Sequence, residues 1–189
     1  MPISLASTSA SSMHGAIVPI GYQYLTSDNP AYTGIGFTNI PQGYQDLMVV
    51  MTMRDQNSGT GGLYLPTAFN QDSGSTNYNE TMLFGNGSSA ASSRWSNQQF
   101  FQFAQQPANG NTAGIFSTTV MHILNYSNTT TYKSMIQRNS MDLNGSGRTA
   151  IIAGTWRSTA AITQFNAYAV NGTKAGSSVA LYGVRTVGQ

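Results

Sequence analysis

The sequence predicts an all-β fold, an antiparallel β-sandwich or jelly-roll-like single domain with an extended N-terminal arm. Apolar and polar residues alternate with a period of two along most of the chain after residue 15. Clusters of Gly, Asn, Asp and Pro interrupt this alternation at intervals of about 8 to 14 residues. No window carries a helical stripe over several turns. Because 189 residues fit one domain, we assign residues 1–14 to the arm and residues 15–189 to the β-sandwich domain.

The N-terminal stretch "MPISLASTSASSMHGAIVPIGYQYL" predicts an arm that leads into the first strand. Its first residues are mostly Ser, Ala and Thr, with too few apolar side chains to fold alone. It has neither a basic start nor a long apolar run, so we predict neither a secretory signal nor a membrane span. An extended arm can reach a neighbouring subunit, and the two tyrosines of "GYQYL" share one strand face. We therefore expect partner contacts at five side chains: Ile3, Leu5, Met13, Tyr22 and Tyr24.

The segment "DLMVVMTMR" predicts a long strand that follows the turn "IPQGY". Its alternation assigns Leu47, Val49, Met51 and Met53 to the core face, and Met48, Val50, Thr52 and Arg54 to a more polar back. The same alternation predicts strands in "GLYLPTAF", "NYNETMLF", "QQFFQFAQ", "IFSTTVMHIL", "TYKSMIQR", "RTAIIAGTW", "AITQFNAYAV" and "SVALYGVRT".

The strand pattern also predicts which residues form the core, and it is interrupted at one segment where we expect a helical turn. A short helical turn is expected within "SSAASSRWSN", where small residues replace the alternation. The expected core comprises Leu47, Val49, Met51, Ile151, Trp156, Phe165, Val179 and Leu181.

Charged residues are scarce, at 7% of the chain against about 25% in an ordinary soluble domain. The net charge is +2, and the eight basic residues stand singly rather than in clusters. Tracking a nucleic-acid backbone requires clustered basic residues, so we predict no nucleic-acid partner. A nearly neutral surface favours association, and contacts without ion pairs tolerate salt. The composition therefore suits a permanent place in an assembly.

No segment predicts a catalytic residue, a cofactor site or a metal site. The loop "LFGNGSSAASSRW" lacks the spacing and the lysine of a phosphate-binding loop, so we expect a solvated loop between strands. "NQDSGSTNYNE" contains Asp72 and Glu80 but lacks the acidic ladder of a calcium loop. His122 alternates with apolar neighbours on a strand face, and cysteine is absent. We find no G-x-S-x-G nucleophile elbow.

Several segments together resemble a family of small virion proteins of tailed bacteriophages, many from phages of aquatic bacteria. The similar segments are "FTNIPQGYQDLMVVMTMR", "FNQDSGSTNYNETMLFGNGSSAASSR", "LNYSNTTTYKSM", "AGTWRSTAAIT" and "SSVALYGVR", and they span residues 37–185 in order. The resemblance implies a β-sandwich module that recurs in capsid-associated and tail-associated proteins. It brings no catalytic residue, and the first 30 residues match less well.

The resemblance implies a non-enzymatic structural role in the virion. The first expectation is a capsid decoration, or cement, protein on the capsid surface. Such a protein binds between subunits of the major capsid protein, and we expect a homotrimer. The alternative is a tail, baseplate or fibre component that contacts tail proteins and binds a host carbohydrate receptor. A fibre normally needs heptads, collagen triplets or β-helical repeats for its stalk, and their absence favours the first expectation. A host-encoded lectin-like module and an enzyme stay open as further alternatives.

Overall fold

The computed structural model describes residues 17–74 and 76–185. These residues form thirteen strands and no helix, which confirms the all-β prediction as a sandwich-like single domain. The strands are β1 (Ile17–Tyr24), β2 (Ile35–Phe37), β3 (Asp46–Met53), β4 (Gly62–Tyr64), β5 (Thr67–Phe69), β6 (Tyr78–Gly85), β7 (Ala90–Gln98), β8 (Gln105–Pro107), β9 (Ser117–Leu124), β10 (Lys133–Asp142), β11 (Gly147–Trp156), β12 (Phe165–Ala167) and β13 (Ser178–Val184).

Eight strands form one large sheet in the order β1–β13–β3–β9–β10–β11–β6–β7, and every neighbouring pair is antiparallel. Strand β13 inserts between β1 and β3, so Ile17 lies opposite Val184. The second layer is smaller, with a three-stranded sheet β2–β12–β5 and a two-stranded sheet β4–β8. The two layers are therefore unequal in size.

The core lies between one face of the large sheet and the second layer. In β10, every second residue from Lys133 to Met141 is buried and the residues between them are exposed. Phe69 of the second layer meets Trp156 of β11 edge to face, with ring centroids 5.7 Å apart. The core prediction is confirmed at Leu47, Val49, Met51, Trp156, Phe165, Val179 and Leu181.

The prediction that Ile151 lies in the core is wrong, because its side chain is 50% exposed. "TAIIAG" places two isoleucines side by side, and neighbouring strand residues point to opposite faces. The alternation of β11 directs Ala150, Ile152 and Trp156 into the core. Ile151 consequently faces outwards, opposite Leu83 of β6.

The helical turn expected within "SSAASSRWSN" is also wrong, because residues 90–98 form strand β7. The side chain of Asn86 accepts hydrogen bonds from the amides of Ser88 and Ser89 and closes a tight turn after β6. Trp95 then anchors β7 from its inner face, with its ring 4.6 Å from that of Phe103. Pairing with β6 and this aromatic contact override the weak strand preference of Ala and Ser.

The prediction that Arg54 lies on a polar back is wrong, because only 3% of the residue is exposed. Strand β3 ends at Met53, so Arg54 no longer follows the alternation of the sheet. Its guanidinium donates four hydrogen bonds of 2.8 to 2.9 Å to backbone carbonyls, those of Asn109, Asn111, Thr112 and Ile115. Arg54 therefore holds the loop between β8 and β9 in place.

The strand expected in "QQFFQFAQ" does not form as one element, because only its first residue, in β7, and its last, in β8, belong to strands. Phe101 and Phe103 are buried in an irregular stretch, which leaves their backbone amides in need of partners. The carboxylate of Glu80 accepts hydrogen bonds from the amides of Gln102, at 2.6 Å, and Phe103, at 3.2 Å. The Glu80 side chain thus accepts the backbone hydrogen bonds that a neighbouring strand would accept in a sheet.

Candidate interaction surface

The large sheet has a second face, which the smaller layer does not cover, and we call it the open face. Strand register places its residues in rows, because directly paired residues of antiparallel strands point to the same side. One row crosses seven strands, from β6 to β1. It consists of Leu83, Ile151, Arg138, Val120, Val50, Ala180 and Tyr22.

Large apolar side chains are exposed on the open face. Leu83 is 59% exposed, Ile151 50%, Ile136 47% and Leu124 38%. Ile136 pairs with His122, which in turn pairs with Met48. We call the group formed by Leu83, Ile151, Ile136, Leu124, Val120 and Met48 the apolar patch. Contiguous exposed apolar surface of this kind marks sites of protein or ligand contact.

Few charged groups accompany the apolar patch. Arg138 lies within it on β10, and Arg94 lies at the β7 edge of the same face, opposite Thr81. His122 contacts the carboxylate of Asp46 at 3.2 Å. Within residues 17–74 and 76–185, neither Arg138 nor Arg94 has a carboxylate or carbonyl partner for its side chain. The open face therefore combines apolar surface with unpaired positive charge.

Tyr22 and Tyr24, expected from the sequence to contact a partner, lie on edge strand β1. Their side chains are 65% and 55% exposed, and their register with Ala180 and Ser178 places both on the open face. They stand at the far side of this face from Leu83, with β1 and β6 separated by five strands. Ile3, Leu5 and Met13 lie outside the described residues.

A groove of about 420 Å³ borders the apolar patch at the end of strands β6, β7, β10 and β11. Its floor carries small residues, including Ala153 and Gly154, and Tyr132 stands beside it, 57% exposed. Arg94 and Arg157 also line it. The guanidinium of Arg157 donates to the side chain of Asn97 and to the carbonyl of Thr76. The groove offers an aromatic ring and two guanidinium groups to a ligand.

The two acidic residues of "NQDSGSTNYNE" serve separate structural roles. Burial raises the pKa of Glu80 to about 7, although the amides of Gln102 and Phe103 partly oppose this shift. Burial also opposes ionisation of Asp72. Hydrogen bonds from the amide of Gly74 and the side chains of Trp156 and Asn77 outweigh that effect and hold its pKa below the ordinary value. Across the described ranges, no three His, Cys, Asp or Glu residues converge as metal ligands.

The apolar patch was not predicted from the sequence, because each strand was expected to have one buried face and one polar face. The available signal was a pair of adjacent apolar residues on each strand, Met135 with Ile136 and Ile151 with Ile152. Such pairs are typical of strands that are covered on both faces. This chain covers only one of those faces itself.

In the part of the chain that the structure describes, there is no helix long and apolar enough to cross a membrane. Comparison with protein-family models, with curated proteins and with solved structures finds no match to this chain.

Proposed function

We propose that this chain is a non-enzymatic structural protein of a tailed-bacteriophage virion. Its role is that of a capsid decoration protein, which binds between subunits of the major capsid protein and stabilises the head. The observation that carries the proposal is the open face, an apolar sheet surface that no other part of the described chain covers. The resemblance of residues 37–185 to small phage virion proteins supplies the biological setting.

The size of the open face supports a lasting contact. Eight strands about 4.8 Å apart, each about eight residues long at about 3.3 Å per residue, give a face on the order of 1,000 Å². A stable protein interface needs about 800 Å² from each partner. The open face alone therefore meets the requirement.

The low charge of the chain supports a contact that survives changes of ionic strength. The described residues contain one lysine–carboxylate pair, Lys174 with Asp28, in the segments that follow β12 and β1. Contacts made by apolar surface are screened little by salt, in contrast to contacts made by exposed ion pairs. A protein that stays on a virus particle benefits from this property.

Three polar side chains support a structural role because other groups of the chain already engage them. Arg54 is bound to four carbonyls and Glu80 to two amides. Asp72 binds the indole of Trp156 at 2.7 Å. These groups hold loops in place, and Glu80, which borders the groove beside Tyr132, is only 2% exposed and already engaged by two amides.

Particle binding tests the proposal directly. Purified protein is added to heads that lack it, and bound protein is quantified against the major capsid protein after sedimentation. We expect a copy number that scales with that of the major capsid protein, and heads that resist heating better than bare heads. A protein that sediments only with tails would support a tail location instead, and one that binds neither would overturn the proposal.

The homotrimer and the arm form a second part of the proposal. We expect residues 1–14 to add attachment to a neighbouring subunit, with Ile3 and Leu5 as apolar contacts. Deleting residues 2–13 should leave the melting temperature of the free protein nearly unchanged and should weaken its binding to heads. Full occupancy by the truncated protein would contradict this part alone.

A tail-associated receptor-binding protein is the second candidate, and the groove beside Tyr132 favours it. An exposed ring and two guanidinium groups suit an acidic polysaccharide, because the ring stacks on a sugar and arginine binds carboxylates. Ligand-observed NMR with polygalacturonate, and with neutral dextran as control, tests this candidate. Binding of polygalacturonate that Tyr132→Ala abolishes would support it, and equal signals with both polymers would exclude it.

A further inference from the structure

We infer that the partner of the open face presents a carboxylate to Arg138 within an otherwise apolar contact, and that Arg138 disfavours a symmetric contact with a second copy of the chain centred on the apolar patch. The inference rests on the proposed function for the identity of the partner as a capsid protein. It adds the chemistry of the contact and the reason for its selectivity.

Arg138 emerges from the middle of the apolar patch. Its direct neighbours across the sheet are Ile151 on β11 and Val120 on β9. Along β10, the residues on the same face are Ile136 on one side and Ser140 on the other. Of these neighbours, Ile136 and Ile151 are each about half exposed. A partner that covers the isoleucines must therefore cover Arg138 as well.

Covering Arg138 creates a requirement for negative charge. A guanidinium has five N–H donors and stays charged at any physiological pH, and its side chain has no hydrogen-bond partner among the described residues. Burying a charged group without a partner is strongly unfavourable, whereas a carboxylate satisfies arginine in two-pronged geometry. Arginine ringed by apolar side chains is also a common anchor in protein interfaces. A carboxylate opposite Arg138 meets this requirement.

The other charges of the open face do not meet this requirement. Asp46 is already engaged by His122 and by the amide of Asn125. Asp142 lies at the end of β10 and accepts a hydrogen bond from the amide of Asn144. Arg94 adds a further positive charge near the β7 edge. The acid that pairs with Arg138 must therefore come from another molecule.

The position of Arg138 makes a symmetric pair that is centred on the apolar patch unfavourable. The apolar patch spans five strands, β3, β9, β10, β11 and β6, and β10 is the middle one. In a symmetric pair, each face meets its own copy around a two-fold axis. An axis through the middle of the patch would bring the two Arg138 side chains together, and like charges in a contact are destabilising. A symmetric pair centred on the apolar patch is therefore disfavoured.

Binding to heads tests the carboxylate. Arg138→Glu should weaken binding on the order of 100-fold, since truncation or reversal in a buried charge pair costs 30-fold or more. Arg138→Lys, which keeps the charge, should lose about 10-fold or less. The matched control is Arg185→Glu, an equal change of charge beside Tyr44 on the other side of the sheet. Melting temperatures of all variants report on folding.

The outcomes separate the inference from the proposed function. If the wild type binds heads and Arg138→Glu binds them equally well, the carboxylate contact is overturned and the decoration role stays intact. If the wild type does not bind heads, the proposed function fails and the carboxylate contact fails with it. In that case, the self-association of the isolated protein still tests whether Arg138 disfavours contact with a second copy.

Sedimentation of the isolated protein tests whether Arg138 disfavours a second copy. Arg138→Leu removes the like charges and extends the apolar patch, so this variant should associate at least about 10-fold more strongly than the wild type. The same substitution at Arg185 should leave the association state unchanged. Identical concentration dependence of Arg138→Leu and wild type would overturn this part of the inference.

Discussion

The two faces of the large sheet both carry polar and apolar residues, but the second layer covers only one of these faces. On the covered face of β10, Asn139 donates to Thr119 and to the carbonyl of Gln105, both at 2.9 Å. Lys133 is fully buried and donates to the carbonyls of Thr131 and Thr159. On the open face of the same strand, Arg138 and Ile136 have no such cover. The chain completes one face by itself and leaves the other to a second molecule.

The covered face should give the largest loss of stability on truncation. Trp156→Ala removes an indole that packs against Phe69 and donates to Asp72. We expect the free energy of unfolding to fall by about 3 to 5 kcal/mol, measured by urea denaturation followed by far-UV circular dichroism. A loss below about 1 kcal/mol would show that the second layer does not pack on this face as described.

The next largest effect should come from Arg54, which joins the covered face to a loop. Arg54→Ala would leave four backbone carbonyls without their buried donor, at a cost of about 3 to 4 kcal/mol. Hydrogen exchange should increase first in residues 109–115. Arg54→Lys is the control, because one ammonium has only three donors and should recover part of the loss. Unchanged exchange in that loop would contradict the role given to Arg54.

Glu80 should make the covered face sensitive to pH. Its folded-state pKa of about 7 lies above the ordinary 4.5, so the folded protein keeps a proton that the unfolded chain releases. Stability should therefore fall as the pH rises from about 4.5 to about 7, by about 2 to 3 kcal/mol in total. Comparing urea denaturation at pH 5 and pH 8 measures this fall. Glu80→Gln should reduce it, and an equal fall in the variant would assign the pH dependence to other groups.

The smallest effect should come from the open face. Ile151→Thr replaces a half-exposed side chain with another β-branched residue, and we expect a change within about 0.5 kcal/mol. Ile152→Thr, one residue further along the same strand, is the matched control and should cost several times more because Ile152 is buried. Equal losses at the two positions would remove the distinction between the faces.

Alternation predicted the long strands well, because a period of two survives wherever one face is buried and the other is not. It identified β3, β9, β10 and β13, and for β3 and β13 it also identified core residues. It failed at β7, whose Ala and Ser residues become a strand through pairing with β6 and the contacts of Trp95. Such long-range contacts leave no local trace in the sequence.

The candidate site was less predictable than the fold. Tyr22 and Tyr24 were correctly expected on one exposed face, because they are two residues apart in a strand. The apolar patch was not expected, because it depends on which of two adjacent apolar residues faces the core. Ile152 faces the core next to Ile151, and Met135 faces it next to Ile136. The virion role and the partner stay predictions.

The insertion of β13 between β1 and β3 has a consequence for how fast the protein folds. Ile17 must find Val184 across almost the whole length of the chain, and β3 must pair with β13 as well. Contacts so distant in sequence slow folding, because the entropy of closing a long loop is lost before the contact forms. On the ribosome, strand β1 has no partner in the large sheet until residue 184 has emerged, whereas β3 can already pair with β9. We expect the folding rate, rather than the final stability, to limit the yield of folded protein at high temperature.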